Sequence, residues 1–477
     1  MSRTLDRKHP FAKTSSQRFL REGLSAVRGP ASGRGRCGCA TRWPGPYFLV
    51  RDPTAAGRRV GNVAGEGDGT DVVLVAGQWW DGLAEQPGGR VETAVRGGRI
   101  AEVGPRVDRG GAEVIDLGDR MLLPGLIDCH VHTTMDPARL LQAFVSDSSA
   151  AIALRSLPVL RDLLDRGFTT VRDLGTFAGE PVTLALRDAV ARGLAVGPRM
   201  IVAPHLISSR GGHGDLSPLL AAHVQREIGV LADGPAAVVR AVREDIRAGA
   251  DWIKFGATGG FATPADDPEQ VTFTQEEMDA LVAAAGDLGI PCTPHAYGDE
   301  GVARAVRAGV RSVEHGNLAS ARTLALMEER GVFLVPTRFM VVDALDHLDD
   351  DAYWEGKSPA EREKFTRYAD RLRESARNVA AGDVRIAFGT DAGMFPHENN
   401  WREFPALVES GITPLRALRS ATGVAAELLT RPDLGRIEPG ATADLVALRG
   451  NPFDDIEAIG RVDFVMKAGT VHRRPAR

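Results

Sequence analysis

The sequence has no apolar run long enough to cross a membrane. A membrane helix needs roughly 20 consecutive apolar residues, and no stretch approaches that length although hydrophobic residues make up 43% of the 477 positions. The continuous apolar segment of a secretory signal peptide is also missing. We therefore expect a chain that makes no membrane contact and stays in the cytoplasm.

Cysteine is also scarce, with four residues in the chain: Cys37, Cys39, Cys129 and Cys292. Two lie near the N-terminus and two lie beside histidine-containing motifs, so they do not form the framework of paired cysteines that holds small secreted domains together. This usage suits a reducing compartment.

Positive charge is in short supply outside the first 60 residues. The formal net charge is −5, but residues 1–60 contain 13 Lys and Arg against 3 Asp and Glu, which leaves residues 61–477 with 45 basic and 60 acidic residues, a net −15. Binding to a phosphate backbone depends on clustered Lys and Arg. The acidic body therefore argues against nucleic acid as the main partner.

The chain divides into four stretches by composition and pattern. Residues 1–70 are rich in Arg, Gly, Pro and Ser without an apolar period, which predicts a disordered extension or a start codon assigned too far upstream. Residues 71–124 and 431–477 show short strands separated by Gly and Asp turns, and we expect the two stretches to pair into one small β-sandwich. Residues 125–430 lie between them.

Residues 125–430 alternate short apolar strands with amphipathic helices. The predicted helices include ARLLQAFVSDSSAAIALRSLPVLRDLLDRG (138–167) and TQEEMDALVAAAGDLG (274–289). Eight strands that alternate with helices over about 300 residues predict a (β/α)8 TIM barrel, which is an α/β fold. The eight strand segments are GLIDCHVH, TTVRDLG, RMIVAPHLI, ADWIKFGA, IPCTPHAYG, VRSVEHG, GVFLVPT and VRIAFGTDAG.

Four histidines and one aspartate fall at the C-terminal ends of these strands, where barrel enzymes build their active sites. They are His130, His132, His295, His315 and Asp391. His130 and His132 stand two apart, so their side chains point to the same face of a strand. Imidazole and carboxylate groups on one rim predict a transition-metal site, although any single histidine could instead be a hydrogen-bonded core residue.

Lys254 ends the fourth strand, among Trp252, Ile253 and Phe255. Burial lowers the pKa of a lysine ammonium and yields a neutral amine. A neutral amine can add carbon dioxide and become a carbamate, an oxygen ligand that can bridge two metal ions. The alternative interpretation is a lysine in a salt bridge.

Several of these motifs resemble those of the amidohydrolase superfamily: LPGLIDCHVH, the lysine of WIKFGATGG, PHAYG, VEHG and GTDAG. The segments TTVRDLG, GGHGD and HAYG are similar, more narrowly, to the imidazolonepropionase-like branch that contains metal-dependent Xaa-Pro and Xaa-Arg/Lys dipeptidases. The resemblance covers residues 71–477, including the PGATADLVAL turn, and residues 1–70 match nothing in its pattern.

The resemblance implies a centre of two divalent metal ions, with zinc as the default, while manganese, cobalt or iron suit the same donors. It implies that the more buried ion is bound by His130, His132 and Asp391. The second ion is bound by His295 and His315, and carboxylated Lys254 bridges the two ions. In the hypothesised mechanism, a hydroxide shared by the two ions attacks the scissile carbonyl. Asp391 takes a proton from it and later passes that proton to the leaving amine.

Four further residues are candidates for binding substrate: Tyr297, His213, Arg210 and Arg338. Tyr297 lies two beyond His295 and shares its face of the strand. His213 and Arg210 lie in the Gly-rich segment SSRGGHGD, where glycines permit close approach of a ligand, and Arg suits a carboxylate through bidentate hydrogen bonds. A packed rim tyrosine and solvated loop charges are the plainer interpretations. Four further histidines are expected at the surface or in loops: His205, His223, His347 and His397. His397 and Asn399 are candidates for loop contacts past Asp391.

The sequence thus predicts an amide or peptide hydrolase that acts on small N-acyl amino acids or dipeptides with a free carboxylate, as Xaa-Pro dipeptidases do. A cyclic-amide hydrolase or a deaminase is the alternative, and Lys254 counts against a deaminase because mononuclear deaminases of this superfamily generally lack the bridging lysine. A barrel without chemistry is disfavoured because all six ligand positions are filled. We also expect a homo-oligomer.

Overall fold

The structure, a computed structural model, describes residues 71–475 except 177, 179 and 222–228. The extension predicted over 1–70 lies outside the described residues. Short strands open the described chain: β1 (Val72–Ala76), β2 (Gln78–Trp79), β3 (Val91–Arg96), β4 (Arg99–Gly104), β5 (Glu113–Asp116) and β6 (Met121–Pro124).

Strands and helices follow one another through the middle of the chain: β7 (Leu126–Val131), α1 (Leu140–Ser146), α2 (Ser149–Asp165), β8 (Phe168–Asp173), α3 (Val182–Ala191), β9 (Arg199–Val202), β10 (Leu206–Ser208), β11 (Val230–Leu231), α4 (Pro235–Ala248), β12 (Ile253–Gly256), α5 (Gln275–Gly286), β13 (Cys292–Gly298), α6 (Asp299–Ala308), β14 (Ser312–Leu318), α7 (Ala321–Arg330), β15 (Phe333–Val335), α8 (Arg338–Asp346), α9 (Asp351–Trp354), α10 (Pro359–Ala381), α11 (Glu403–Glu409), α12 (Pro414–Ser420) and α13 (Gly423–Leu428). The chain then returns to strands: β16 (Leu445–Leu448), β17 (Val462–Lys467) and β18 (Thr470–Arg473).

The strands in the middle of the chain are parallel and form two sheets, with the strand orders β7-β8-β9 and β11-β10-β12-β13-β14-β15. Backbone hydrogen bonds extend the edges of both sheets: Asp251 N donates to Val202 O, and Cys129 N donates to Phe388 O, each at 2.8 Å. The segment 384–393, which we predicted as the eighth strand, forms isolated parallel bridges beside β15 and β7 instead of a continuous strand. The protein has an α/β fold.

One apolar core joins the parallel strands to their helices. Val171 of β8, Phe255 of β12 and Val313 of β14 are buried in the same cluster as Leu281 of α5 and Met327 of α7. This core fixes the strands laterally, so the residues at their C-terminal ends are held at defined positions relative to one another.

The first long predicted helix, 138–167, is divided in two. α1 ends at Ser146, and Ser148 adopts an extended conformation with φ −75° and ψ 155°. The Ser148 side chain accepts a hydrogen bond from Ala151 N and so caps the start of α2, a role for which serine is well suited. The second predicted helix begins as the sequence suggests, because Thr274 and Glu277 form a capping box at the start of α5.

The two ends of the described chain share a sheet, with strand order β18-β17-β16-β6-β2. β6 pairs antiparallel with β16, with Leu123 opposite Val446. Leu122 and Phe464 of this sheet are buried in one cluster with Leu74 of the sheet β4-β3-β1-β5. Residues far apart in sequence therefore form one packed β region beside the parallel strands.

No helix in the described part of the chain is both long enough and apolar enough to cross a membrane. Of the cysteines, Cys129 and Cys292 are free and buried, while Cys37 and Cys39 lie outside the described residues.

Candidate metal centre

Strand β7 brings two histidines to a distant aspartate. His130 lies in β7 and His132 directly follows the strand, and the Nε2 atom of each is 3.3 Å from Asp391 Oδ1. One ligand atom from each of the three residues lies within 4.8 Å of the others, and all three side chains are buried. Two imidazoles and one carboxylate at this spacing have the donor types that bind a divalent transition metal.

Two residues of the group adopt a left-handed backbone. Asp391 has φ 63° and His315 has φ 71°, a region that Asp and His enter more readily than most residues. The backbone N of Asp391 donates to His130 O at 2.8 Å, which anchors the turn to β7. Such unusual conformations concentrate at functional sites, and these two occur at predicted metal ligands.

His295 and His315 reach the same pocket from β13 and β14. Their ring centroids are 4.6 Å apart, and the His315 ring is 5.2 Å from that of His130. His315 Nδ1 forms a 2.8 Å hydrogen bond with Thr337 Oγ1, which fixes the plane of the ring. Orienting contacts of this kind are typical of histidines that bind metals.

Lys254 of β12 is buried in the same pocket, and its Nζ has no hydrogen-bond partner within the described residues. Burial lowers the pKa of Lys254 to about 8, while the negative charges of Glu314 and Asp391 act in the opposite direction. A buried amine without a partner is costly, so this position favours chemistry that neutralises the amine.

The pKa shifts of most of these residues favour the forms that bind a metal ion, whereas the raised pKa of His132 does not. Burial lowers the pKa of His315 to about 3 and holds the pKa values of His130 and His295 well below their usual range. For His132, burial works in the same direction, but the hydrogen bond to Asp391 and its charge raise the pKa. Burial opposes ionisation of Asp391, yet the neighbouring histidines lower its pKa overall. Neutral imidazoles and an ionised carboxylate are the forms that bind a divalent cation.

A fully buried ion pair lies next to the candidate metal centre. Arg172 Nη2 of β8 lies 2.7 Å from Glu314 Oε1 of β14, and neither side chain is exposed to solvent. Arg172 also donates to Cys129 O at 2.6 Å. Glu314 Oε2 lies 2.9 Å from His130 Nδ1, although the two atoms are not aligned as a hydrogen bond. The ion pair thus links β8 to β14 and places the Glu314 carboxylate against His130, a predicted metal ligand.

Replacing Arg172 with Met is expected to lower the free energy of unfolding by about 3–5 kcal/mol, because it leaves the Glu314 carboxylate buried without a counter-charge. Urea unfolding followed by circular dichroism measures this change. Arg373→Met is the matched control, since the Arg373 side chain is 48% exposed and an exposed pair contributes little.

The double variant Arg172→Met, Glu314→Met separates the two explanations for such a loss. Removing both charges is expected to recover part of the stability, because no unpaired charge then remains. A double variant that is less stable than Arg172→Met alone would contradict the ion-pair interpretation and assign the loss to packing.

The pocket over the centre also contains two of the predicted substrate residues, His213 and Tyr297. The Tyr297 ring stacks on His315 with centroids 4.6 Å apart, and burial raises the pKa of its hydroxyl. The His213 ring stacks on His295 at 3.9 Å, and its Nδ1 contacts Asp266 Oδ2 at 2.8 Å. The other lining residues are mainly apolar: Met135, Leu174, Leu206, Phe261, Ala262, Met340, Val341, Phe365 and Met394.

Two predicted substrate residues are placed elsewhere. Arg210 is exposed and pairs with Asp233. Arg338 is buried, but its guanidinium donates to Asn317 Oδ1 at 2.9 Å and to Ser410 Oγ at 3.1 Å. Neither arginine is among the described residues that line the pocket. The position of a residue in the sequence does not fix the direction of its side chain, and here the contacts of Arg210 and Arg338 lie outside the pocket lining.

One histidine that was expected in a loop or at the surface is buried beside the centre. His397 is 5% exposed, and its Nε2 lies 3.0 Å from His132 O. This contact holds the backbone of a predicted ligand, a structural role that spacing alone did not indicate.

Sequence reasoning also missed several buried charges around the centre. Glu314 and Arg172 were visible in VEHG and TTVRDLG as charged residues inside apolar strands, which strand alternation turns toward the interior. Asp128 stands two before His130, and its carboxylate accepts a 2.8 Å hydrogen bond from Thr390 Oγ1. For Asp128 the available signal was therefore the two-residue alternation that links His130 with His132, extended by one step toward the start of the strand.

The chain matches the amidohydrolase family over residues 121–472. Ochratoxinase from Aspergillus niger is 31% identical over 382 residues, which cover 74% of this chain and 76% of the relative. Imidazolonepropionase from Anaeromyxobacter sp. (strain K) is 28% identical over 429 residues, covering 82% of this chain and 92% of the relative. The structure of a Xaa-Pro dipeptidase with methionine bound in its active site is similar with a TM-score of 0.79 and 35% identity, covering 85% of this chain and all of that one.

The matched span includes β6 to β17 and every predicted metal ligand. It also includes the buried ion pair and the residues that line the pocket. The family match covers well over half of the chain, and amide-hydrolysing relatives are found both by sequence and by structure. The chain therefore belongs to the amidohydrolase family and is a hydrolase that acts on carbon–nitrogen bonds.

Proposed function

We propose that the protein is a metal-dependent hydrolase that cleaves the amide or peptide bond of small N-acyl amino acids or dipeptides with a free carboxylate. The observation that carries this proposal is the convergence of His130, His132 and Asp391, with ligand atoms within 4.8 Å, beside the unpartnered amine of Lys254. The similarity to a Xaa-Pro dipeptidase structure supports the choice of substrate class.

We also propose a finer architecture for the fold and the metal centre. The parallel strands, together with the bridges at 384–393, form a closed (β/α)8 barrel, and the pocket lies at the C-terminal ends of its strands. The predicted ligands would hold two divalent ions, with zinc as the default. The neutral amine of Lys254 would add carbon dioxide and lose a proton to form a carbamate, whose oxygens would serve as further metal ligands. The enzyme acts in the cytoplasm as a homo-oligomer.

A divalent metal ion bound by these residues supplies Lewis acidity and lowers the pKa of a water molecule. Asp391 accepts the proton of the attacking water and returns it to the amine nitrogen as the C–N bond breaks. The carbonyl carbon gains the oxygen of water, and the products are a carboxylic acid and an amine. The apolar walls of the pocket keep bulk water away from this exchange.

The free carboxylate of the substrate is proposed to bind between His213 and Tyr297. Their rings stack on the two histidines of β13 and β14, so both side chains are held rigidly at the edge of the centre. A Tyr hydroxyl and an imidazole N–H are suitable donors to a carboxylate. His213 Nδ1 donates to the Asp266 carboxylate, so Nε2 can donate to the substrate carboxylate when the ring carries its second proton.

A panel of Xaa-Pro dipeptides, Xaa-Arg dipeptides and N-acetyl amino acids, each paired with its C-terminal amide, tests this function. The protein is supplied with zinc and bicarbonate, and its metal content is measured first. We expect cleavage of the free acids and a reduction in kcat/KM of about 10-fold or more for the amides, since the carboxylate contributes charged hydrogen bonds. Failure to cleave any member with two metal ions bound would reject the dipeptidase assignment and favour cyclic amides.

A further inference from the structure

Glu361 places a carboxylate in the wall of the active-site pocket, apart from the predicted metal ligands. It lies in the first turn of α10 and is partly exposed. Asp391 is the other carboxylate among the described lining residues, and it is engaged with His130 and His132. Glu361 is therefore the acidic group of this wall that a substrate can reach.

The positive charges of Lys357 and Lys364 act on Glu361 and lower its pKa, but both side chains are engaged elsewhere. Lys364 Nζ donates to two backbone carbonyl oxygens and to Asp266 Oδ1 at 3.2 Å. Lys357 Nζ lies 3.5 Å from the centre of the Tyr353 ring. Within the described residues, neither lysine forms an ion pair with Glu361, so its carboxylate lacks a direct counter-charge.

The surroundings of Glu361 strengthen its attraction for a cation. Phe261 and Phe365 line the same pocket as a stacked pair with centroids 4.4 Å apart, and Tyr297 contacts Phe261 edge-on at 4.9 Å. Burial in this apolar wall raises the pKa of Glu361. Charges interact more strongly where the local dielectric is low, and the faces of aromatic rings also attract cations.

We propose that Glu361 binds a positively charged ammonium or guanidinium group of the substrate and so determines which amides the enzyme prefers. This inference rests on the proposed function, because it takes the pocket as the substrate site. The cation can come from the α-ammonium of an N-terminal residue or from a basic side chain. In either case a neutral N-acyl substrate lacks the interaction.

Four six-carbon carboxylates test the proposal without any amide hydrolysis. Lysine carries both ammonium groups, norleucine only the α-ammonium, 6-aminohexanoate only the terminal ammonium, and hexanoate neither. Calorimetric titration of the metal-loaded protein is expected to show about 10- to 100-fold tighter binding of at least one cationic member than of hexanoate, the effect of one charged hydrogen bond. The member that gains affinity identifies the source of the cation.

Glu361→Gln keeps the shape of the side chain and removes its charge, so it should abolish this preference and leave hexanoate binding within about two-fold of wild type. Glu363→Gln is the matched control, since Glu363 lies on the same helix, is exposed and does not line the active-site pocket. It should retain the preference of the wild type.

Two results would overturn the proposal: equal affinity of the wild type for all four compounds, or an unchanged preference in Glu361→Gln. The outcome is separable from that of the proposed function. A wild-type protein that prefers the cationic compounds but cleaves no amide of the substrate panel would reject the dipeptidase assignment and still support a cation site at Glu361.

Discussion

Replacing Asp391 with Asn is expected to lower kcat by about 10³-fold or more, because the amide side chain cannot accept the proton of the attacking water. The fold should persist, since Asn tolerates the left-handed conformation that residue 391 adopts at φ 63° as well as Asp does. Steady-state kinetics on the best substrate of the panel measure the loss. Circular dichroism and metal analysis of the same preparation establish that the variant is folded and loaded.

Asp370→Asn is the control for this experiment. The Asp370 side chain lies on α10, is fully exposed and is absent from the pocket lining. The kcat of the Asp370→Asn variant should therefore equal that of the wild type. An Asp391→Asn variant with two metal ions and near wild-type kcat would refute the role of Asp391 as general base and acid.

Replacing Lys254 with Ala is the second change with a large expected effect. The variant should bind less metal, and its kcat should fall about 10³-fold, because it lacks the oxygen ligand that the proposed carbamate supplies. Added acetate or propionate is expected to restore part of the activity, since a small carboxylate can occupy the space left by the side chain. Sodium chloride at equal ionic strength is the control and should restore nothing.

Carbamate formation can also be observed directly. Carbon dioxide adds to the neutral amine, and the pKa of Lys254 is lowered to about 8. Uptake of ¹³C-bicarbonate by the metal-free protein, followed by NMR, should therefore increase as the pH rises through about 8. A Lys254→Ala variant that keeps wild-type activity without added carboxylate would remove the lysine from the centre.

The metal-ligand candidates could be inferred from sequence because strand geometry is local. Residues two apart share a face, so His130 and His132 had to point together once the segment was read as a strand. The ends of parallel strands share one edge of the sheet, which brought His295 and His315 into the same group. These arguments depend on backbone regularity and need no knowledge of loops.

The substrate side could not be predicted in the same way. Arg210 lies in a turn and Arg338 is the first residue of α8, and in both positions the direction of the side chain depends on tertiary partners such as Asp233 and Asn317. Glu361 belongs to a helix that sequence analysis did not connect with the pocket, because only packing of α10 brings it there. The positions of the residues proposed to bind substrate thus depend on contacts between elements rather than on periodicity.

The break in the first long helix illustrates the same limit. The apolar pattern continues through 138–167, but Ser148 forms a local side-chain hydrogen bond with Ala151 N that competes with helical geometry. Capping residues inside an apolar pattern can end one helix and begin another, and the pattern alone does not decide between the two outcomes.

The pairing of β6 with β16 has a consequence for biosynthesis. A ribosome that has just released β6 must add about 320 more residues before the partner strand exists, which takes about 15 to 65 s at about 5–20 residues per second. During that interval β6 can pair with β2, but its other edge, which pairs with β16 in the folded protein, has no partner. Nascent chains should therefore depend on chaperones that shield apolar strands, and slower translation should increase aggregation rather than improve yield.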